Sequence, residues 1–127
     1  MLESLIEPQV SLTSGGRMTI EPTEAMTVID VDMGGAGGGR QKDDAVLIVN
    51  LSAAAEVARQ IRLRNIAGLI VVDFINMRQR SHGRKLVEAM RREFRDTPVP
   101  VDVLGMTAGG LVEITRRRDG PALNETL

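Results

Sequence analysis

Two aspartates carry most of the chemistry available to this 127-residue chain. Asp73 sits in the run Leu69-Ile70-Val71-Val72-Asp73-Phe74-Ile75, with apolar residues before and after it. An ionised carboxylate in such a run is costly unless it is paired or holds a cation. Asp30 sits in Ala25-Met26-Thr27-Val28-Ile29-Asp30-Val31-Asp32, and on a strand Asp32 shares its face. Both runs predict strands. If they are parallel neighbours, about 4.8 Å apart, then Asp30 and Asp73 stand near their carboxyl ends, where open α/β sheets collect ligands. The pair would then share one hard cation, Mg²⁺ or Mn²⁺, because all the donors are oxygens. Asp32 would add a further oxygen. Such an ion suits phosphodiester hydrolysis, since it polarises a phosphoryl oxygen and acidifies a bound water. The competing reading is structural, with each aspartate pairing with an arginine or capping backbone groups. Spacing alone leaves both readings open.

Other chemistries lack their residues. Cysteine is absent, which excludes disulfides, thiolate metal sites and cysteine nucleophiles. One histidine, His82, cannot build a His-rich zinc site. It reads as a general base or, more plainly, as part of a helix's first turn. Without Trp or Tyr, and with only Phe74 and Phe94, the chain has no aromatic platform for stacked bases. The cluster Gly34-Gly35-Ala36-Gly37-Gly38-Gly39-Arg40 fits neither G-x-G-x-x-G nor a Walker motif and reads as a mobile loop.

Charge is unevenly spread. Residues 1–58 carry net −6, residues 59–95 net +7 and residues 96–127 net −2. The central block includes Arg59, Arg62, Arg64, Arg80, Arg84 and Lys85, and Arg116 opens a later Arg116-Arg117-Arg118 run. These are the candidates for holding a phosphate backbone. The alternative is solvated helix faces, with some arginines serving as packing stems.

The elements that must position these groups follow from periodicity. Met18–Glu21 and Ala25–Asp32 read as strands. Asn50 is a plausible N-cap for a helix over Leu51–Arg64, striped by Ala54, Val57, Ala58 and Ile61. Leu69–Ile75, apolar on both faces, reads as a buried parallel strand. A second helix over Gly83–Arg95 is marked by Leu86, Met90 and Phe94. Val101–Leu104 and Leu111–Thr115 read as strands around a Gly109-Gly110 turn. The predicted fold is α+β, a mixed sheet with a central strand–helix–strand crossover and helices packed on it. It divides into a leading segment 1–14, a core 15–118 and a polar tail 119–127. The start lacks a signal-peptide pattern and no stretch is long enough to span a bilayer, so no membrane role is expected.

Three stretches resemble the ribonuclease E/G family: Gly15 to Asp32 with its Thr23-Glu24-Ala25 and Ile29-Asp30-Val31-Asp32; Asn50-Leu51 with Ala58 to Met77; and Gly110 to Arg118. The resemblance implies a DNase I-like catalytic subdomain and a bacterial, cytoplasmic endoribonuclease. Such an enzyme uses Mg²⁺ on single-stranded RNA and leaves a 5′-phosphate and a 3′-hydroxyl. It matches Asp30 and Asp73 to the family's two metal aspartates. Asp32 stands where the family usually has an Asn that orients groups at the attack site. The glycine cluster also departs from the family, and 127 residues leave no room for its S1, 5′-sensor and RNase H-like parts. Other domains of a longer ribonuclease, or a homo-oligomer, are the implied partners. The rival readings are a non-catalytic RNA-binding or assembly module on the same scaffold, and a hydrolase of small phosphoesters.

Overall fold

Alternation sets the core of the sheet. The computed structural model describes residues 7–34, 42–98 and 100–117. Strand β1 is Gln9–Ser11, β2 Arg17–Pro22 and β3 Thr27–Asp32. Helix α1 runs over Asp43–Arg64, strand β4 over Gly68–Asp73 and helix α2 over Arg80–Glu93. Strands β5 (Val101–Met106) and β6 (Leu111–Arg116) follow. The sheet has the order β1-β2-β3-β4-β6-β5. Strands β3 and β4 are parallel and every other neighbouring pair is antiparallel. This is the mixed α+β architecture expected, with the crossover β3–α1–β4 at its centre.

Met18, Ile20, Ile29, Val31, Ile70, Val72, Val112 and Ile114 all point to one face and are buried. The helices bury their own stripes in the same core: Val57, Ala58 and Ile61 from α1, and Leu86 and Met90 from α2, with Phe94 just beyond it. Each fully buried side chain of this kind contributes about 1.5–3 kcal/mol. The opposite face holds Val28, Asp30, Leu69, Val71, Asp73 and Glu113, all half-buried or exposed, and no helix covers it among the described residues. No helix among them is long and apolar enough to cross a membrane.

Several boundaries differ from the sequence reading. Helix α1 begins at Asp43, with Asp43 and Asp44 at its positive end. Asn50 is therefore no cap. It lies mid-helix, fully buried, and its Nδ2 donates to the Ile75 carbonyl (2.9 Å) while its Oδ1 accepts from the Ile75 amide (3.0 Å). This clamp ends β4 at Asp73, where the sequence predicted a strand through Ile75. Strand β1, inside the segment read as a leader, pairs with β2. Helix α2 starts at Arg80 rather than Gly83, and β5 reaches Met106 through an irregularity between Val103 and Gly105. Gly16 is required by packing, since a Cβ there would lie 2.8 Å from the Asp32 carbonyl oxygen and 2.8 Å from Val49. The predicted loop residues 35–40 and the tail 119–127 lie outside the described residues.

Replacing Asn50 by Ala would leave both backbone polar groups of Ile75, half-buried against the core, without these partners. We expect a loss on the order of 3 kcal/mol, read as a lower midpoint in urea unfolding at unchanged slope.

Candidate active site

Residues in register on neighbouring strands turn to the same face of the sheet. Asp30 is the register partner of Asp73. The row continues to Thr19 on β2 and Leu111 on β6, so the aspartates stand side by side in mid-sheet on the face without helices. Two further acids share that face one row down: Glu21, opposite Val28, and Glu113, opposite Val71. The sequence reading passed over both, although each keeps the two-residue alternation of its strand.

The aspartates have no cationic partner among the described residues, where the ion pairs are Arg17–Asp32, Arg59–Glu56 and Arg78–Asp43. Asp30 accordingly has its pKa raised above 3.8, first by partial burial, then by repulsion from Asp73, Asp32 and Glu21. A backbone hydrogen bond at Val31 opposes the shift. No three of His, Asp and Glu gather as a metal-binding cluster among the described residues, so the donor set here is a carboxylate pair. Asp32 is engaged elsewhere. Its Oδ1 accepts from the Gly34 amide at 2.6 Å and lies 3.4 Å from Arg17 Nε, its cross-strand partner. Both side chains are about half exposed, so this ion pair is weak.

The predicted basic residues fall into two groups. Arg80, Arg84 and Lys85 lie on α2, which follows β4 out of the sheet, and all three are exposed. The others lie toward the opposite end of β4, where Gly68 pairs with Arg116, while Asp73 pairs with Leu111. Five residues of strand separate those ends by about 16 Å. Arg116 Nη1 donates to Asn65 Oδ1 (2.9 Å) and the Ile66 carbonyl (2.8 Å), fastening the left-handed end of α1. Arg64 donates to Gln60 (2.8 Å) and to the Glu7 carbonyl (2.6 Å), and burial lowers its pKa. Arg59 pairs with Glu56 at 2.8 Å, and Arg62 is exposed in the last turn of α1. His82 is buried in the first turn of α2, its Nδ1 without a partner among the described residues.

The match to known proteins bears on this arrangement. Residues 1–119 match the Ribonuclease E/G family. The chain belongs to that family. It is 44% identical over 124 residues to Ribonuclease E of Nostoc sp., covering 98% of this chain and 18% of that protein. To Ribonuclease G of Escherichia coli K12 it is 37% identical over 126 residues, covering 99% of this chain and 26% of that protein. A chloroplastic Ribonuclease E/G-like protein of Arabidopsis thaliana is 41% identical over 124 residues, 12% of its length. The chain thus spans about a quarter or less of these relatives. The ribonuclease E/G stretches quoted from the sequence fall on β2–β3, on α1–β4 and on β6, so they converge on the strands carrying and flanking the aspartate pair.

The raised Asp30 pKa makes a stability prediction. A carboxyl whose folded-state pKa exceeds its unfolded value favours folding only while protonated. That benefit is complete below about 3.8 and is lost as pH rises through the folded-state value. At neutral pH without metal the pair therefore opposes folding. Asp73→Asn should stabilise the metal-free protein at pH 7 by about a few tenths of a kcal/mol, kept small by solvent screening. The gain should shrink toward pH 3, as thermal melts at the two pH values would show.

Proposed function

We propose that this domain is the hydrolytic part of a Mg²⁺-dependent endoribonuclease acting on single-stranded RNA, with Asp30 and Asp73 as its metal ligands. The observation that carries the reading is the register of β3 on β4, which puts two carboxylates with no counter-ion among the described residues side by side on the open sheet face. A hard divalent cation fits that donor set: oxygens alone, like-charged, with room for water in the remaining positions. Such an ion, or Mn²⁺ in its place, supplies Lewis acidity that polarises a phosphoryl oxygen and makes water more acidic.

The chain's own residues do the rest. Asp30 and Asp73 fix the position of the charge from two rigid strands, and the Asn50–Ile75 clamp fixes the chain where it leaves Asp73. Asp32 steadies the turn into Gly34 through its 2.6 Å hydrogen bond. An Asn there would keep the same acceptor and lose only the Arg17 pairing. In the reaction, a water oxygen bonds to phosphorus, the bond from phosphorus to the 3′-oxygen breaks, and that oxygen takes a proton. The products are a 5′-phosphate and a 3′-hydroxyl.

Cleavage of an end-labelled single-stranded RNA tests this. Mg²⁺ should support cutting and EDTA should abolish it. Asp73→Asn and Asp30→Asn should each slow it by roughly three orders of magnitude, and Asp32→Asn by less than about tenfold. Cutting in EDTA, or at the wild-type rate by Asp73→Asn, overturns the assignment. Binding without cutting gives the non-catalytic module instead, and turnover of a small phosphoester but not RNA gives the third reading.

A further inference from the structure

Past Asp73 the chain leaves the sheet through Phe74–Gln79 and enters α2. This loop, α2 and the β5–β6 turn enclose a groove of about 870 Å³, within the range of pockets that take small ligands. Its lining includes the apolar side chains of Met77, Val87 and Met106 and the cationic ones of Arg78, Arg80 and Arg84. Glu88 is the single acidic side chain lining it among the described residues.

Arg80 and Arg84 enter none of the ion pairs among the described residues. Arg91, which also lines the groove, is held by the Val103 carbonyl at 3.0 and 3.3 Å. The first turn of α2 contains no acid, and the Gln79 side chain donates to Asp43 (3.2 Å) instead of capping the helix. That end of the helix is thus positive and open. Arg80 and Arg84 are one turn apart, about 5–6 Å between Cβ atoms, comparable to the separation of consecutive phosphates on one strand. The groove opens past the strand end that carries Asp73, on the helix side of the sheet, and neither aspartate lines it. Phe74 follows Asp73 directly, and Gly110 precedes Leu111, the register partner of Asp73.

We propose that this groove is a subsite for the single-stranded RNA segment next to the cleaved bond, with Arg80 and Arg84 on successive phosphates and a base against Met77, Val87 and Met106. The assignment rests on the ribonuclease reading of the Asp30–Asp73 pair. A polyglutamate segment would satisfy the arginines but brings no ring to Met77 and Met106, whereas thioethers make favourable contact with flat rings such as bases.

Fluorescence anisotropy of a labelled single-stranded RNA decamer, in EDTA so that nothing is cut, tests the subsite separately from the nuclease reading. Arg80→Gln/Arg84→Gln should weaken binding about tenfold or more at low salt. It should also flatten the slope of log affinity against log salt by about 1.4, or ~0.7 per phosphate contact. Arg92→Gln/Arg95→Gln removes the same charge outside the groove and should cost less than about threefold. Gly83 lines the groove, and a Cβ there would meet only Met106, at 3.5 Å. Gly83→Leu should therefore weaken binding by filling the space, with charge unchanged and circular dichroism confirming the fold. Equal losses from the two arginine pairs, no loss from Gly83→Leu, or competition by a glutamate decamer as strong as by unlabelled RNA overturns the subsite. Metal-dependent cutting that persists alongside such a result leaves the nuclease reading standing. Groove-dependent binding without any cutting leaves the subsite standing alone.

Discussion

The parallel pairing of β3 with β4 places two negative charges in register, and the rest of the molecule is arranged around that pairing. Parallel register puts Asp30 and Asp73 on one face, and no cation among the described residues neutralises them. Burial and three neighbouring acids raise the pKa of Asp30, so the strands carry an unfavourable interaction that the opposite face must outweigh. There Ile29 opposes Val72 directly behind the acid row, and both are fully buried in the core to which α1 and α2 contribute. The Asn50 clamp extends the restraint past the strand end, where β-ladder hydrogen bonding stops.

Much of this was legible in the sequence, for reasons of period. The alternation through Val28, Ile29, Asp30, Val31 and Asp32 fixed which side chains share a face. The four-residue recurrence of Leu86, Met90 and Phe94 fixed the inner side of α2. An aspartate in an otherwise apolar strand singled out one member of the pair that the register brings together. Position along the strands was also readable, because Asp73 precedes a segment that must lead into a helix.

What stayed hidden depends on partners remote in sequence. Asn50 looks like a cap because Asn is a good cap; its real role needs Ile75, 25 residues away, to arrive at the middle of α1. The short strand β1 has no periodic signal and exists because β2 offers it an edge. The basic block reads as a single feature in the sequence, yet the fold sends its members to opposite ends of β4. Arg64 reaches the Glu7 carbonyl and the later Arg116 reaches Ile66, so both serve the backbone. Glu21 and Glu113 become neighbours of the site through register alone.

Among the described residues the helices lie on one side of the sheet, and that one-sidedness has a consequence for how such a domain can change. Residues at odd and even positions of the same strand answer to different demands: one set to close packing beneath the helices, the other to whatever meets the bare side. Drift in one set need not disturb the other. A lineage could retune its encounter surface, or cover it with a new neighbour, while the packed layer behind stays untouched.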